Sequence, residues 1–156
     1  MDSQLNGKRT PVSILITEDD DGHAALIEWQ LREAGVDNPM MRFCNGQEVW
    51  NFLTRCGSGP MRSTEDAYLM LLDLRMPIMD GLEVLRNVKA DPVLKTLPVI
   101  MLTTTDDPQE IEACYRLGCN VYITKPVAFA QFAEALRRLG LILTIVQAPV
   151  VAGAGG

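Results

Sequence analysis

The sequence predicts an α/β fold, in which a five-stranded parallel sheet is doubly wound by five flanking helices. Strand-like apolar segments alternate with segments whose apolar residues recur at helical spacing. The first, third and fourth strand segments are runs of consecutive apolar residues, which is typical of strands buried on both faces. Parallel neighbours also require crossover connections, and the intervening helices supply them.

The first half of the chain contains three predicted strands and two predicted helices. The strands cover residues 12–17, 40–43 and 67–72. Apolar residues at helical spacing follow the first strand and end before Gly35, which predicts the first helix. Asn45, with Glu48 three residues later, predicts the start of the second helix. Residues 55–66 are rich in Gly, Ser, Pro and Arg, and they form the longest predicted loop.

Asp80 and Asp107 are the predicted N-caps of the third and fourth helices. Each is followed three residues later by a glutamate, and Asp107 is also followed by a proline at the first helical position. Gly118 is the predicted end of the fourth helix.

The last two strands and the fifth helix complete the pattern. The strands cover residues 97–102 and 121–124. Arg137, Arg138 and Gly140 predict the end of the fifth helix. Its core-facing residues are predicted to be Phe129, Phe132, Leu136 and Leu139.

A chain of 156 residues is expected to form one domain with short tails. The domain is predicted to cover residues 12–139, after a flexible N-terminus of residues 1–11. Residues 140–148 are predicted to be a C-terminal arm, and residues 149–156 a disordered tail.

Composition and charge argue against several classes of partner. The net charge is -6 and the chain has no cluster of Lys and Arg, so we expect no nucleic-acid partner. No apolar run is long enough to cross a bilayer and no secretory signal is visible, so we expect no membrane partner and a cytoplasmic location. The four cysteines lack C-x-x-C spacing and the chain has one histidine, which argues against a zinc site.

Polar side chains stand where four of the predicted strands end. They are Glu18, Asp19, Asp20, Asp73, Thr103 and Lys125. Ligands of open α/β sheets bind beyond the carboxyl ends of the strands, so we expect most of these side chains to converge at that edge.

This set of residue types favours phosphoryl chemistry assisted by a metal. Clustered carboxylates raise one another's pKa unless a cation lies between them, and oxygen ligands with open positions suit Mg²⁺. Lys125 and Thr103 would face the same point, and such groups bind the oxygens of a phosphoryl group. Asp73 is then the candidate nucleophile, because a carboxylate can form an aspartyl phosphate.

The ordered pattern resembles the receiver domain of two-component response regulators, the CheY-like superfamily. The resemblance covers about residues 12–139 and rests on Glu18-Asp19, Asp73 with Met76-Pro77 and Asp80-Gly81, Thr103, and Lys125-Pro126. It implies the strand order 2-1-3-4-5 and phosphotransfer from a partner histidine kinase to Asp73.

The resemblance also implies a metal site. Asp19, Asp73 and the backbone carbonyl of Arg75 would bind Mg²⁺, and Glu18 would assist through water. The protein would not be an enzyme, apart from self-phosphorylation and slow autodephosphorylation.

Further roles implied by the resemblance concern the phosphoryl group and the response to it. Thr103 and Lys125 would each contact a phosphoryl oxygen. Thr103 and Tyr122 would form the switch, with Tyr122 moving between outward and inward rotamers, although an aromatic residue in a strand can also serve packing alone. The Lys125–Pro126 peptide bond is expected to be cis.

Within the family, the long loop, residues 122–125 and the β-prone segment 141–146 resemble the regulators encoded beside bacterial phytochrome kinases. This implies a bacteriophytochrome as the kinase and a homodimer formed through the C-terminal elements. The apolar tail must dock either on its own sheet edge or on a second copy, and we expect residues 141–147 to cross to the second copy. No output domain follows the fifth helix, so we expect a single-domain regulator whose downstream target the sequence does not identify.

Two positions depart from the family pattern. Arg75 is the second residue after Asp73, and Thr105 is the second after Thr103. In the family, acidic or amide side chains at these points help to position the hydrolytic water, so their absence predicts a persistent phosphorylated Asp73.

Two other functions fit the sequence less well. A phosphohydrolase of the haloacid dehalogenase type needs a second aspartate two residues after the nucleophile, and Arg75 occupies that place. The second alternative is a dimeric scaffold that takes no phosphate. Such a scaffold would not need the complete set of site residues, so their presence argues against it. His23 is expected to be a surface residue without a phosphodonor role.

Overall fold

The computed structural model describes residues 11–153, which form one parallel sheet with helices on both faces. The strands are β1 (Val12–Thr17), β2 (Met40–Phe43), β3 (Ala67–Leu72), β4 (Val99–Thr103) and β5 (Val121–Thr124). Their order across the sheet is β2-β1-β3-β4-β5, and every neighbouring pair is parallel. The predicted fold class and strand order are confirmed.

The α-helices divide between the two faces of the sheet. They are α1 (Asp21–Glu33), α2 (Gly46–Thr54), α3 (Gly81–Ala90), α4 (Pro108–Leu117) and α5 (Phe129–Leu143). Alternate residues of β3 face opposite sides: Met70 packs with α2 and α3, whereas Leu71 packs with α1 and α5. All six residues of β3 are buried, which explains its uninterrupted apolar sequence.

Asp and Asn side chains cap the first four α-helices. Asp20 accepts from the backbone N–H of His23, Asn45 from Glu48, Asp80 from Glu83 and Asp107 from Gln109, at 2.8 to 2.9 Å. The predicted starts of α2, α3 and α4 are confirmed, and Gly118 ends α4 in a left-handed conformation with φ 109°. The N-termini that follow β1, β3 and β4 all lie at the carboxyl edge of the sheet, where their dipoles favour negative charge.

Gly81 allows α3 to begin directly against the loop that follows β3. A Cβ atom at this position would lie 2.0 Å from the backbone oxygen of Asp73, so a larger residue would displace that loop. The same loop holds Ile78 at φ 71°, a strained conformation for a β-branched residue. The backbone around Asp73 is therefore fixed by close packing and by local strain.

The C-terminal part of α5 differs from the prediction. The helix continues through Gly140 to Leu143, whose side chain is buried beside Phe132 and Leu139. Gly140 lies where α5 crosses α1, since a Cβ there would lie 2.5 Å from the Cβ of Ala34. Its role is close helix packing rather than termination, and residues 141–143 are helical instead of belonging to a β-prone arm.

The chain after α5 returns to the first residue of β3. Val150 forms a single antiparallel bridge with Ala67, and Val151 is buried in the core. The predicted disordered tail is therefore wrong for residues 149–153, because an apolar side chain anchors them. Residues 154–156 lie outside the described residues, as do residues 1–10 of the predicted flexible N-terminus.

Arg62, in the long loop before β3, anchors this returning segment. Its guanidinium donates to the backbone carbonyls of Leu53, Val151 and Ala152 at 2.7, 2.9 and 2.9 Å. The residue is buried, so these charge-assisted hydrogen bonds replace the water that the charge has lost. No local sequence pattern predicts this contact, because it joins residues about ninety positions apart.

Three smaller expectations are also corrected. β4 begins at Val99 rather than at residue 97, because the short 3-10 helix Leu94–Thr96 immediately precedes it. Phe129 is exposed rather than in the core, because it is the first residue of α5 and lies one turn before the buried Phe132. No peptide bond in residues 11–153 is cis, so the bond before Pro126 takes the trans form that X–Pro bonds generally favour.

Across residues 11–153, the helices are all too short or too polar to span a bilayer.

Candidate functional site

Four polar side chains from different strand ends meet at the carboxyl edge of the sheet. They are Glu18 after β1, Asp73 after β3, Thr103 at the end of β4 and Lys125 after β5, and all four are buried. The sheet continues for one hydrogen bond beyond these strands, because Asp73 N–H donates to Thr17 at 3.1 Å and Lys125 N–H donates to Thr103 at 2.7 Å. These hydrogen bonds hold the backbone of Asp73 and Lys125 in register with the sheet.

The Lys125 ammonium is the positive centre of this site. Its Nζ lies 2.6 Å from Glu18 Oε1 and 3.5 Å from Asp73 Oδ2. The side chains of Lys125 and Glu18 are almost inaccessible to solvent, so water screens their interaction only weakly. The convergence that the strand ends predicted is present for these residues.

Glu18, Asp19 and Asp73 form a carboxylate cluster, with one oxygen from each residue within 4.8 Å of the others. Glu18 and Asp73 are buried, whereas Asp19 is exposed. Burial, together with the neighbouring Asp73 carboxylate, raises the pKa of Glu18 to about 8. The cluster therefore holds more acidic groups than Lys125 alone can neutralise.

Several buried oxygens of the site have no hydrogen-bond partner in the part of the chain that the structure describes. They are Thr17 Oγ1, Glu18 Oε2, Asp73 Oδ1 and Thr103 Oγ1. Buried polar atoms are rarely left unpaired, so these oxygens point to a ligand that supplies a cation and acceptors. An all-oxygen set with two buried carboxylates and one exposed carboxylate fits Mg²⁺.

Arg42 in β2 is a site residue that the sequence did not reveal. Its guanidinium donates to the carbonyl of Glu18 at 3.1 and 3.0 Å, to the carbonyl of Asp19 at 3.2 Å and to the carboxylate of Asp21 at 2.6 Å. These contacts fix the acidic loop after β1. The only signal in the sequence is a single charged residue within the short apolar strand beside β1.

His23 also lies at the site rather than on the open surface, which corrects the expectation for this residue. Its Nδ1 is 3.0 Å from Glu18 Oε1 and 3.2 Å from Lys125 Nζ. The first turn of α1 carries the imidazole back over the site, because Asp20 caps this helix immediately after the acidic loop. Helical spacing alone does not show this, since the contact depends on where α1 begins.

A chain of polar contacts links the loop after Asp73 to Tyr122. Arg75 and Thr105 both donate to the carboxylate of Glu110, which stands in the first turn of α4. The hydroxyl of Tyr122 donates to the backbone oxygen of Thr105 at 2.7 Å. Burial raises the pKa of Tyr122 to about 12, so its hydroxyl keeps the proton that it donates.

Comparisons with known proteins agree with this fold and site. The family model described as the response regulator receiver domain matches residues 14–137. Response regulator Rcp1 of Synechocystis is 34% identical over 115 residues, which are 74% of this chain and 77% of that protein. The Mn(2+)-bound form of Rcp1 matches with a TM-score of 0.80, 30% identity and coverage of 89% of this chain and 99% of that chain.

Two further solved structures are similar. A response regulator receiver domain from Rhodospirillum rubrum has a TM-score of 0.83 and 46% identity, and the match covers 91% of this chain and 100% of that chain. The bacteriophytochrome response regulator RtBRR has a TM-score of 0.70 and 32% identity, with coverage of 94% of this chain and 86% of that chain.

A doubly wound sheet with a carboxylate cluster and a buried lysine at its carboxyl edge has the architecture of a phosphorylation-controlled signalling domain. The chain belongs to the response regulator receiver domain family of two-component signalling. Receiver domains are signalling proteins rather than classical enzymes, and histidine kinases phosphorylate them. They bind Mg²⁺ at an acidic pocket, which corresponds to Glu18, Asp19 and Asp73 in this chain.

The affinity for Mg²⁺ is expected to rise about tenfold between about pH 6.5 and about pH 8.5. A protonated Glu18 would offer the metal site no negative charge, and its raised pKa of about 8 keeps it largely protonated at the lower pH. Titration calorimetry at the two pH values measures the change. Glu18→Gln is the control, because its weaker affinity should vary little with pH. Equal affinity of the unsubstituted protein at both pH values would contradict the expectation.

Proposed function

We propose that this protein is a phosphoacceptor response regulator, in which Asp73 receives a phosphoryl group from a partner histidine kinase and the protein then changes its interaction surface. The observation that supports this most directly is the placement of the Lys125 ammonium 3.5 Å from Asp73 Oδ2. Asp73 Oδ1 and Thr103 Oγ1 are buried without partners among the described residues, and Thr103 ends the strand beside β3. A nucleophile and a cation are therefore in contact, and a hydroxyl donor lies at the end of the neighbouring strand.

The transfer forms one bond and breaks one bond. An oxygen of the ionised Asp73 carboxylate attacks phosphorus, and the bond between phosphorus and the imidazole nitrogen of the kinase phosphohistidine breaks. The electron pair of that bond leaves with the imidazole, which takes up a proton. In this chain, Lys125 would pair with one phosphoryl oxygen and the Thr103 hydroxyl would donate to another.

Mg²⁺ would be held by Asp19, Asp73 and the backbone carbonyl of Arg75, with Glu18 assisting through water. When bound, this ion would neutralise phosphoryl and carboxylate charge. The support for this assignment is the carboxylate cluster together with the unpartnered Glu18 Oε2 and Asp73 Oδ1.

Thr103 and Tyr122 would form the switch that reads the phosphorylated state. Thr103 would move toward the phosphoryl group, and the loop that follows β4 would move with it. The hydrogen bond from Tyr122 to the backbone oxygen of Thr105 would transmit that movement, since it joins the tyrosine to the same loop. The resulting change would alter the surface formed by α4 and β5.

Incubation with Mg²⁺ and acetyl phosphate should add one phosphoryl group to the unsubstituted protein, and intact mass spectrometry measures it. Asp73→Asn should gain none, because the amide is a poor nucleophile. Asp37→Asn is the matched control, since it removes an exposed loop aspartate and should leave the gain intact. Absence of a mass gain in the unsubstituted protein would favour a phosphorylation-independent dimeric scaffold, and a gain that survives Asp73→Asn would reject Asp73 as the acceptor.

The phosphorylated state is expected to be long-lived. The two positions that often help to place hydrolytic water hold Arg75 and Thr105, and both side chains are bound to Glu110. Neither side chain would hold a water near Asp73, because Glu110 keeps both of them occupied.

Arg75→Asn should release phosphate about tenfold faster, equivalent to a barrier lower by about 1.4 kcal/mol. The amide would place water and would also break the contact with Glu110. Loss of the phosphorylated mass over time, after removal of acetyl phosphate, gives the rate. Arg116→Asn is the matched control, since it breaks the exposed Arg116–Glu112 pair on α4. An unchanged rate in Arg75→Asn would show that Arg75 does not cause the persistence.

A bacterial phytochrome is the proposed kinase. The support is the similarity to RtBRR, which is described as a bacteriophytochrome response regulator, and to RcpA, described as a phosphorylated cyanobacterial phytochrome response regulator. Phosphotransfer from such a kinase would place the protein in the cytoplasm. We propose no direct contact with nucleic acid or membrane, because the net charge is -6 and the chain lacks a basic cluster.

A homodimer formed through the C-terminal elements is also proposed. Residues 141–143 continue α5 and Leu143 is buried in its own core, so the segment does not cross as a free strand. It instead exposes large apolar side chains, namely Leu141, Ile142 and Ile145. Such a patch beside the end of α5 favours self-complementary packing with a second copy.

The double substitution Ile142→Glu and Ile145→Glu should convert the dimer to a monomer, because it would place charge in the apolar contact. Light scattering at several concentrations measures the mass. Val127→Glu is the control, since Val127 is also a fully exposed apolar residue but lies before α5. A dimer that persists in the double variant would place the interface elsewhere.

A further inference from the structure

His23 contacts the Lys125 ammonium, although none of the roles that the resemblance to receiver domains implies includes this residue. Three acceptor atoms surround Nζ, at 2.6 Å for Glu18 Oε1, 3.2 Å for His23 Nδ1 and 3.5 Å for Asp73 Oδ2. A lysine ammonium has three N–H donors and no lone pair. The three neighbours therefore match its three donors, and the longest contact is the one to Asp73.

The contact with Lys125 favours one tautomer of His23. Because the ammonium can only donate, a hydrogen bond between Nζ and Nδ1 requires a lone pair on Nδ1. Nδ1 is then unprotonated, and in a neutral ring the proton is on Nε2. In this tautomer, Nδ1 and Glu18 Oε1 are both acceptors, and their 3.0 Å separation is accommodated because Lys125 donates to both.

The surroundings of His23 hold its ring in place. Its backbone N–H is bound by the side chain of Asp20 at 2.8 Å, which fixes the first turn of α1. Its ring packs against Phe132 of α5, with 5.5 Å between the ring centroids and an angle of 58° between their planes. These contacts restrict the orientation of the imidazole beside Lys125.

We propose that His23 is a positioning residue for phosphoryl transfer: its Nδ1 accepts from Lys125 and thereby turns another N–H of the ammonium toward the oxygens of Asp73. Without this acceptor, the ammonium would keep the short contact with Glu18 and the longer contact with Asp73 among the described residues, and it would rotate more freely about the short one. The inference rests on the proposed phosphorylation of Asp73, which it deepens by adding a residue to the site.

The tautomer can be measured without any phosphorylation. The chain has a single histidine, so a long-range proton–nitrogen correlation spectrum of the untagged, ¹⁵N-labelled protein shows one imidazole and needs no assignment. At neutral pH we expect a protonated Nε2 and an unprotonated Nδ1, whose resonance shifts in Lys125→Met. A protonated Nδ1, or a resonance that Lys125→Met leaves unchanged, would overturn the proposal.

The kinetic test compares three substitutions of His23 at saturating Mg²⁺ and acetyl phosphate, with phosphorylation followed by intact mass. Asn can place its side-chain oxygen near the former Nδ1, whereas Gln reaches the former Nε2 and Leu offers no acceptor. His23→Leu and His23→Gln should be about tenfold slower than the unsubstituted protein, as expected for the loss of one charge-assisted hydrogen bond, and His23→Asn should recover most of the rate. Ala25→Asn is the matched control, because it introduces the same side chain at an exposed position of α1.

A second comparison separates positioning from packing. In the Lys125→Met background, His23→Leu should cause no further loss, because the histidine acts only through the lysine. Equal losses in the Asn, Gln and Leu variants, or an additive loss in the double variant, would overturn the proposal. If the unsubstituted protein takes no phosphate, the proposed function fails, and the tautomer measurement alone then decides the role of His23.

Discussion

The buried ammonium of Lys125 is the interaction on which the site depends. Two buried carboxyl groups, from Glu18 and Asp73, contact it, and removing the lysine would leave both without a positive partner. Burial, together with the neighbouring Asp73 carboxylate, raises the pKa of Glu18, and the excess of acidic groups favours a divalent cation. One positive group thus holds together acidic residues that would otherwise repel each other.

The scaffold supplies the rigidity that such a site requires. Parallel register places the ends of β1, β3, β4 and β5 along one edge, and Gly81 and Ile78 fix the loop that follows Asp73. Arg42 performs the same task for the acidic loop, because it binds two of that loop's carbonyls. The loops that carry Asp73 and the acidic residues are therefore held by contacts to their backbone.

Much of the site was predictable because its residues follow strands, and strand ends of a parallel sheet share an edge. Asp73, Thr103, Lys125 and Glu18 were found in this way. His23 and Arg42 were not, since a histidine on a helix and an arginine in a strand occur commonly at surfaces. Their roles depend on the direction in which α1 leaves the acidic loop and on the pairing of β2 with β1.

The sequence by itself determined the element order, the helix caps and the set of chemical groups at the strand ends. Each of these depends on local patterns of apolar residues, Asp, Asn, Gly and Pro. Only the tertiary structure decided where residues 144–153 lie. Gly140 looked like a helix end, yet Ala34 of the neighbouring segment requires a small residue there. Residues 149–153 were expected to be disordered, yet Arg62 donates to Val151 and Ala152 and the side chain of Val151 is buried in the core. Contacts between residues distant in the chain leave no periodic trace in sequence, and for that reason they become visible only in the folded molecule.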